Sequence, residues 1–319
     1  MSSVVRRLRE DEALPNKAEP RTATARANGK AVATAEPAGV AALAPSRIPH
    51  VRICAEDRRP TIDLRELVRY RDLLWTLTDR DIKLRYKQTV LGVVWVVLQP
   101  LVASLIFAFV FGIVAGLSSN GRPYVLFAFA GLTAWSVFAN VVSRASGSLV
   151  SNAHIITKVY FPRLLLPFSA AAASLVDFVV SLGVMGLLMA LYRIWPSWPI
   201  LLLPVWTGVL LLMGMGLSLM ASALMVRYRD INYLVPVVLQ LGMFASPVAW
   251  STAAVPVQHR WFVQINPLCG LVEAFRWSLL GQSTLHLHWL AYSVLTSILV
   301  FWIGAVVFKR LENDFADVI

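Results

Sequence analysis

The chain has 319 residues, 57% of them apolar and 15% charged, with a net charge of +11, whereas soluble domains average about 45–50% apolar and about 25% charged. That balance excludes a water-soluble globular fold as the first reading, and apolar runs of about 18 residues and more point to a bilayer as the solvent. The positive charge alone would suit nucleic-acid binding, but it is gathered beside the apolar runs, so no nucleic-acid partner is expected. Cys54 and Cys269 lie far apart in sequence; they make no disulfide framework and have no companions at metal-ligand spacing.

Residues 1–60 hold 13 Ala and 6 Pro among scattered charges, without a periodic apolar face, and read as a disordered cytoplasmic tail. Arg6 and Arg7 are followed by no hydrophobic segment that could make a twin-arginine signal, so the first span itself is expected to direct insertion. Residues 61–89 change to a helical pattern. Asp63 and Glu66 are spaced as a capping box, Leu67, Tyr70, Leu74, Leu77 and Leu84 form an apolar stripe, and Arg80, Lys83 and Lys87 share another face. With Trp75 nearby and a span directly following, this reads as an amphipathic helix in the headgroup layer; a solvated face on a cytosolic helix is the plainer alternative.

Six apolar segments follow and predict an all-α integral membrane fold: 90–116, 124–142, 164–191, 200–226, 233–250 and 289–308. Each is near or above the roughly 17 residues that cross the hydrocarbon core. The run Leu268–Leu280 is short and carries Glu273 and Arg276, and Pro256 and Asn266-Pro267 punctuate the region around it. Residues 251–288 therefore predict an external re-entrant helical hairpin, allowed where protein or water covers the backbone. With the N-terminus inside, 25 of the 29 Lys and Arg fall on the inner side, which puts both termini in the cytoplasm. Asp177 lies near the middle of the third span, where an ionised group is costly; it could be a proton-coupling site, but a structural, hydrogen-bonded acid is the preferred reading, since no second charge in the spans offers a relay. Gly214, Ser218 and Ser222 recur every fourth residue of the fourth span and predict a helix–helix seam.

No G-x-x-x-x-G-K-[ST] loop, H-E-x-x-H pair or nucleophile elbow is present. The chain is therefore expected to be no enzyme, and energy for transport must come from a partner or an ion gradient. A short cytoplasmic helix over 152–162 is expected, capped by Asn152 and ended by Pro162. It would leave Ile155, Ile156, Tyr160 and Phe161 as an apolar plug beside Lys158. Arg80, Lys83, Arg85 and Lys87, just before Leu91-Gly92, offer dense positive charge to a diphosphate headgroup or, equally, to anionic lipid. Phe107, Phe109 and Phe111, with Phe244 and Trp250, are candidates for lining a channel with flat apolar faces, although an interfacial belt explains most aromatics.

Several of these blocks resemble one family. Leu74-Trp75-x-Leu77-x-x-Arg80-Asp81-x-Lys83-x-Arg85-Tyr86-Lys87, Leu91-Gly92-x-x-Trp95 and Gln99-Pro100 are similar to the entry of the polysaccharide-type ABC exporter permeases. Asn152-x-x-Ile155-Ile156-x-Lys158-x-x-Phe161-Pro162-Arg163 is similar to their coupling segment. Arg227-x-Arg229-Asp230 in a cytoplasmic loop, Ser246-Pro247, Asn266-Pro267 with Glu273 and Arg276, and the terminal Phe308-Lys309-Arg310 follow in the family's order. The resemblance spans about residues 62–319 and implies a homodimeric permease in the bacterial inner membrane. It implies two copies of an ATP-binding subunit that carries ATP and Mg, no cofactor in this chain, and a lipid-linked polysaccharide as substrate. Bacterial O-antigen exporters fit best, with capsule and teichoic-acid exporters as alternatives. A proton-coupled transporter and a membrane-embedded glycosyltransferase are rivals from other classes; the latter lacks an acidic site.

Overall fold

The computed structural model describes residues 68–87, 92–119, 121–281, 285–312 and 315, all within the compact unit Arg58–Ile319. The expected tail 1–60, the Asp63–Glu66 capping box and Leu91 lie outside the described residues. Among the described residues the elements are helical throughout. They are α1 (Arg71–Tyr86), α2 (Gly92–Phe107, continued by a π-helical stretch Ala108–Val114), α3 (Tyr124–Ser151), α4 (Ala153–Ile156), α5 (Leu165–Leu191), α6 (Leu203–Arg227, preceded by a 3-10 turn Trp198–Leu202), α7 (Ile231–Ala245), α8 (Arg260–Gln264), α9 (Leu268–Leu280) and α10 (Leu287–Leu311).

Among the described residues, five helices are long and apolar enough to cross a membrane: 94–114, 124–151, 165–191, 198–227 and 287–311. The expected second span ends at Val142, but the helix runs on to Ser151. Ala145, Ser146, Ser148 and Leu149 are buried there, so packing rather than hydropathy sustains the extra turns. The expected fifth span, 233–250, holds a 15-residue helix that stops at Ala245, about 22 Å long at a rise of about 1.5 Å per residue. Pro247 ends it, and Ser246–Ala249 continue as buried irregular chain.

α3 is the central helix, with α5, α6, α2 and α9 around it. It can be buried on nearly all sides because its sequence is apolar all round and interspersed with Gly, Ala and Ser. Thr133 and Ser148 satisfy their hydroxyls on carbonyls of the preceding turn. One core cluster gathers Phe129, Trp135, Phe138, Leu210, Leu271 and Phe275. A second gathers Leu77, Leu149, Phe161, Leu165, Leu219, Phe308 and Phe315. The expected small-residue face is a seam against α3: Gly214 faces Val141, and Ser218 Oγ donates to Gly214 O at 2.6 Å and to Val141 O at 3.2 Å. The sequence reading missed a closer crossing, where α6 and α10 pass backbone against backbone at Gly216 and Gly304; a Cβ on Gly304 would strike the Gly216 backbone.

α1 lies along the first half of α5. Leu77 is buried, and Tyr70 and Leu74 pack on the second cluster, so part of the apolar stripe docks on protein, while Trp75 and Leu84 stay exposed. α1, the C-terminal ends of α3, α6 and α10, and the start of α5 share one end of the bundle, which carries Arg85, Arg163, Arg229 and Lys309. We call it the basic end.

Candidate functional site

A cavity of about 910 Å³ opens at the basic end. Its wall is built from four places in the chain: Asp81, Leu84 and Arg85 of α1; Arg144 through Asn152 of α3; Ala170 and Ala173 of α5; and Met225, Arg229, Asn232 and Tyr233 around the α6–α7 connection. Three arginines therefore face one space. The carboxylate on its wall, Asp81, is already engaged by Arg80 at 2.7 Å, which leaves the cavity positive and suited to an anion.

Behind the wall lies Asp177 of α5, whose side chain is 4% exposed. Arg85 Nη1 and Arg144 Nη2 each reach its Oδ2 at 2.5 Å, and Tyr86 Oη donates to Oδ1 at 2.5 Å. Asp177 is thus shared by two guanidiniums and a phenol, the kind of partners a structural, hydrogen-bonded acid requires. α1 and α3 approach α5 from different directions, and sequence spacing carries no sign of this meeting. Burial, and the Asp177 carboxylate to which it donates, push the Tyr86 phenol up to about 12, so it stays a donor at any ordinary pH.

Among the described residues, Arg85 alone of the expected headgroup residues lines this cavity. Arg80 is turned onto Asp81. Lys83 is exposed and paired with Asp79 one turn back, and Lys87 is exposed at the end of α1. Leu91 lies outside the described residues, and Gly92 begins α2. Arg144, Asn152 and Asn232 were missed as headgroup candidates. Arg144 falls just beyond the apolar run read as the second span, and only the longer α3 brings it to the cavity. Arg229 joins from the loop block Arg227-x-Arg229-Asp230. Arg227 instead stacks beside Tyr228, and Asp230 precedes α7, its carbonyl accepting from Leu234 N–H.

The coupling segment takes a different shape from the expected 152–162 helix. α4 has four residues, and its helical turn is over before Pro162. Asn152 does not cap it: its Nδ2 donates back to Ser148 O at 2.8 Å, closing α3 instead. Phe161 is no plug. It is 7% exposed and packs into the second core cluster, with Ile155 and Ile156 resting on the edge of that cluster. The apolar groups that project are Val159 and Tyr160, 58% and 78% exposed, beside exposed Lys158. Arg163 bonds the Glu312 carbonyl and lies over the Phe315 ring at 5.6 Å, tying this segment to the end of α10.

At the opposite end the motif residues lock one hairpin. Asn266 Nδ2 donates to Ser246 Oγ at 2.8 Å, and its Oδ1 accepts from Leu268 N–H at 3.0 Å, with Pro267 between them leading into α9. Thr252 donates to Glu273. Arg276 is buried, sits 3.8 Å over the Phe127 ring, and donates to the carbonyls of Val248, Trp250 and Phe127. It thereby satisfies irregular backbone that no helix serves. Gly281 closes α9 in the left-handed conformation, φ +69°, which a side chain would strain. Among the expected channel aromatics, Phe107 packs edge-on with Phe111 at 5.8 Å. Phe109 and Phe244 are exposed on the outside of the single chain, and Trp250 lies beyond α7, serving Arg276 through its carbonyl.

The same segments carry the likeness to known proteins. The ABC-2 type transporter family matches residues 72–280. The O-antigen export system permease protein RfbA of Klebsiella pneumoniae is 28% identical over 253 residues, 78% of this chain and 95% of its own length. Its Myxococcus xanthus namesake is 28% identical over 256 residues, 80% of this chain and 98% of its own. The polysialic acid transport protein KpsM of Escherichia coli is 21% identical over 241 residues, 73% of this chain and 91% of its own. The match begins in α1, ends with α9, and takes in the arginine-walled cavity and the Arg276 hairpin between them: the chain belongs to the ABC-2 type transporter family.

Proposed function

We propose that this chain is the membrane-spanning subunit of an ATP-driven exporter that moves a lipid-linked, O-antigen-like polysaccharide from the cytoplasmic side across the bacterial inner membrane. A second copy completes the channel, and two copies of a separate ATPase subunit, holding ATP and Mg, drive it. The observation that carries this reading is the cavity at the basic end, where Arg85, Arg144 and Arg229 meet under Leu84 and Ala170. Cations beside apolar side chains suit a phosphate headgroup whose lipid tail stays in the bilayer.

The same reading makes the basic end cytoplasmic, by the positive-inside bias, and both termini with it. It counts α7 together with residues 246–250, buried as far as Ala249, as the sixth span. The stretch suits membrane depth because it is covered by protein and its carbonyls are served by Arg276. Residues 251–288 then form the external re-entrant cap. Val159 and Tyr160 contact the ATPase, and Phe109 and Phe244, exposed on one chain, face the channel shared with the second. The second reading is the capsule-exporter alternative, and the likeness to KpsM, a polysialic acid transport protein, makes polysialic acid its test substrate.

The experiment is reconstitution. The chain with its ATPase in proteoliposomes should translocate a lipid-diphosphate-linked glycan when ATP is supplied, and Arg144→Gln or Arg229→Gln should abolish this while assembly persists. Translocation that survives both substitutions would falsify the cavity as the entry site. Preferred transfer of a polysialic acid chain without the lipid diphosphate would select the second reading.

A further inference from the structure

An ionised acid in an apolar span survives only if something else supplies the solvation it has lost, and at Asp177 the suppliers come from two other elements. Arg85 belongs to the last turn of α1 and Arg144 to the far end of α3, yet both bind one oxygen at 2.5 Å. Their two bonding nitrogens therefore lie within about 5 Å of each other, a separation at which like charges repel unless an anion sits between them. Both side chains also reach the cavity wall, 35% and 26% exposed. Tyr86, next to Arg85, grips the other carboxylate oxygen, so consecutive residues of α1 are hooked to α5 at one point.

We propose that Asp177 is the positioning residue of a paired-arginine site for a diphosphate: its carboxylate holds Arg85 and Arg144 side by side on the cavity wall, and the pair exists only while α1 is docked on α5. This rests on the reading of the cavity as the headgroup entry and adds what that reading does not contain, a buried anion that sets the spacing of two cations. Guanidinium groups present planar sets of donors, so each can serve the carboxylate and an incoming phosphate oxygen through different nitrogens. Two cations at this spacing match two adjacent phosphates better than one, and Arg229 on the same cavity adds a third positive group. The site therefore discriminates diphosphate from monophosphate, and the discrimination depends on a residue that touches neither.

The test uses the full chain in phosphatidylcholine nanodiscs, with farnesyl diphosphate and farnesyl monophosphate as probes. The wild type is expected to prefer the diphosphate by about tenfold or more, the worth of one additional charge-assisted bond. Asp177→Asn, which keeps shape and the Tyr86 contact, should bring that ratio to about one, and Asp177→Glu should restore most of it. A merely structural role would weaken both probes alike and leave the ratio standing, and that result overturns the proposal. Arg144→Gln with and without Asp177→Asn supplies a second measurement that leaves no unpaired buried acid in the double variant. With one arginine gone no pair can form, so the added Asp177→Asn should change diphosphate affinity by less than about twofold; a further loss of about tenfold overturns the positioning role. Phosphatidylglycerol competing as well as the diphosphate would make the site a general anionic-lipid anchor and would also overturn it. Absence of diphosphate binding by the wild type would sink the headgroup reading itself, a failure distinct from a variant that binds with its preference intact.

Discussion

Two adjacent aromatic residues in the 152–162 segment, Tyr160 and Phe161, should respond to truncation in opposite ways. Phe161 is 7% exposed and packs with Leu164, Leu165, Phe308 and Phe315 in the second core cluster. Phe161→Ala removes a ring from a closed site, and comparable truncations cost about 3–5 kcal/mol, because the cavity left behind is only partly refilled. Tyr160 is 78% exposed and makes no comparable packing, so Tyr160→Ala should change stability by no more than about 0.5 kcal/mol. If Tyr160 and Val159 seat in the ATPase, that substitution should instead weaken co-purification of the ATPase and lower transport-stimulated hydrolysis. Thermal unfolding of the detergent-solubilised chain, read beside ATPase pull-down, separates the two effects. The reasoning is refuted if Phe161→Ala melts with the wild type while Tyr160→Ala unfolds the chain. A Tyr160→Ala variant with undiminished ATPase binding and hydrolysis would remove the exposed tip from the coupling role.

Arg276→Lys should lower thermal stability markedly, since the three donors of an ammonium sit on one nitrogen and cannot reach carbonyls spread around Nε, Nη1 and Nη2 of the guanidinium, which leaves buried acceptors unpaired at about 1–3 kcal/mol each; a melting temperature equal to the wild type would contradict the hairpin lock. Gly131→Ala should do similar damage, because its Cβ would run into the Arg276 guanidinium and the Val248 carbonyl. Lys83→Gln with Lys87→Gln should reduce translocation only mildly, at about 1 kcal/mol per surface cation near anionic lipid, whereas Arg144→Gln should be severe; the reverse order would return the headgroup site to the exposed face of α1. Tyr86 keeps its proton to about pH 12. A phenol with a raised pKa contributes stability that is intact below its unfolded value and lost as pH rises through the folded one, so the α1 contact should not weaken between about pH 6 and about pH 9. A cross-link between α1 and α5 whose yield fell within that window would show otherwise. A reporter fused after Ile319 should be active only in the cytoplasm, and periplasmic activity there would sink the six-span topology.

Hydropathy, read from sequence alone, was enough to anticipate the helical character of the described residues and the five helices long and apolar enough to cross a membrane, because the bilayer imposes one rule on every lipid-facing segment: apolar side chains over a sufficient length. The ordered motif blocks were enough to place the family, and Gly214, Ser218 and Ser222 declared a helix seam, since small residues matter wherever backbones must approach. What tertiary structure alone decided is everything that depends on which side of an element meets which neighbour. Arg85 and Lys83 belong to one basic run in sequence, yet Arg85 turns into the cavity and onto Asp177, while Lys83 turns outward to Asp79. Tyr160 and Phe161 are chemically alike neighbours, and only the docking of the α10 end against α5 buries one and leaves the other exposed. Arg276 looked like a charge too many for a membrane segment; the backbone carbonyls it satisfies come from residues 26, 28 and 149 positions away. Local pattern reports the solvent a residue prefers, whereas a buried charge is settled by partners that meet it only when separate helices pack.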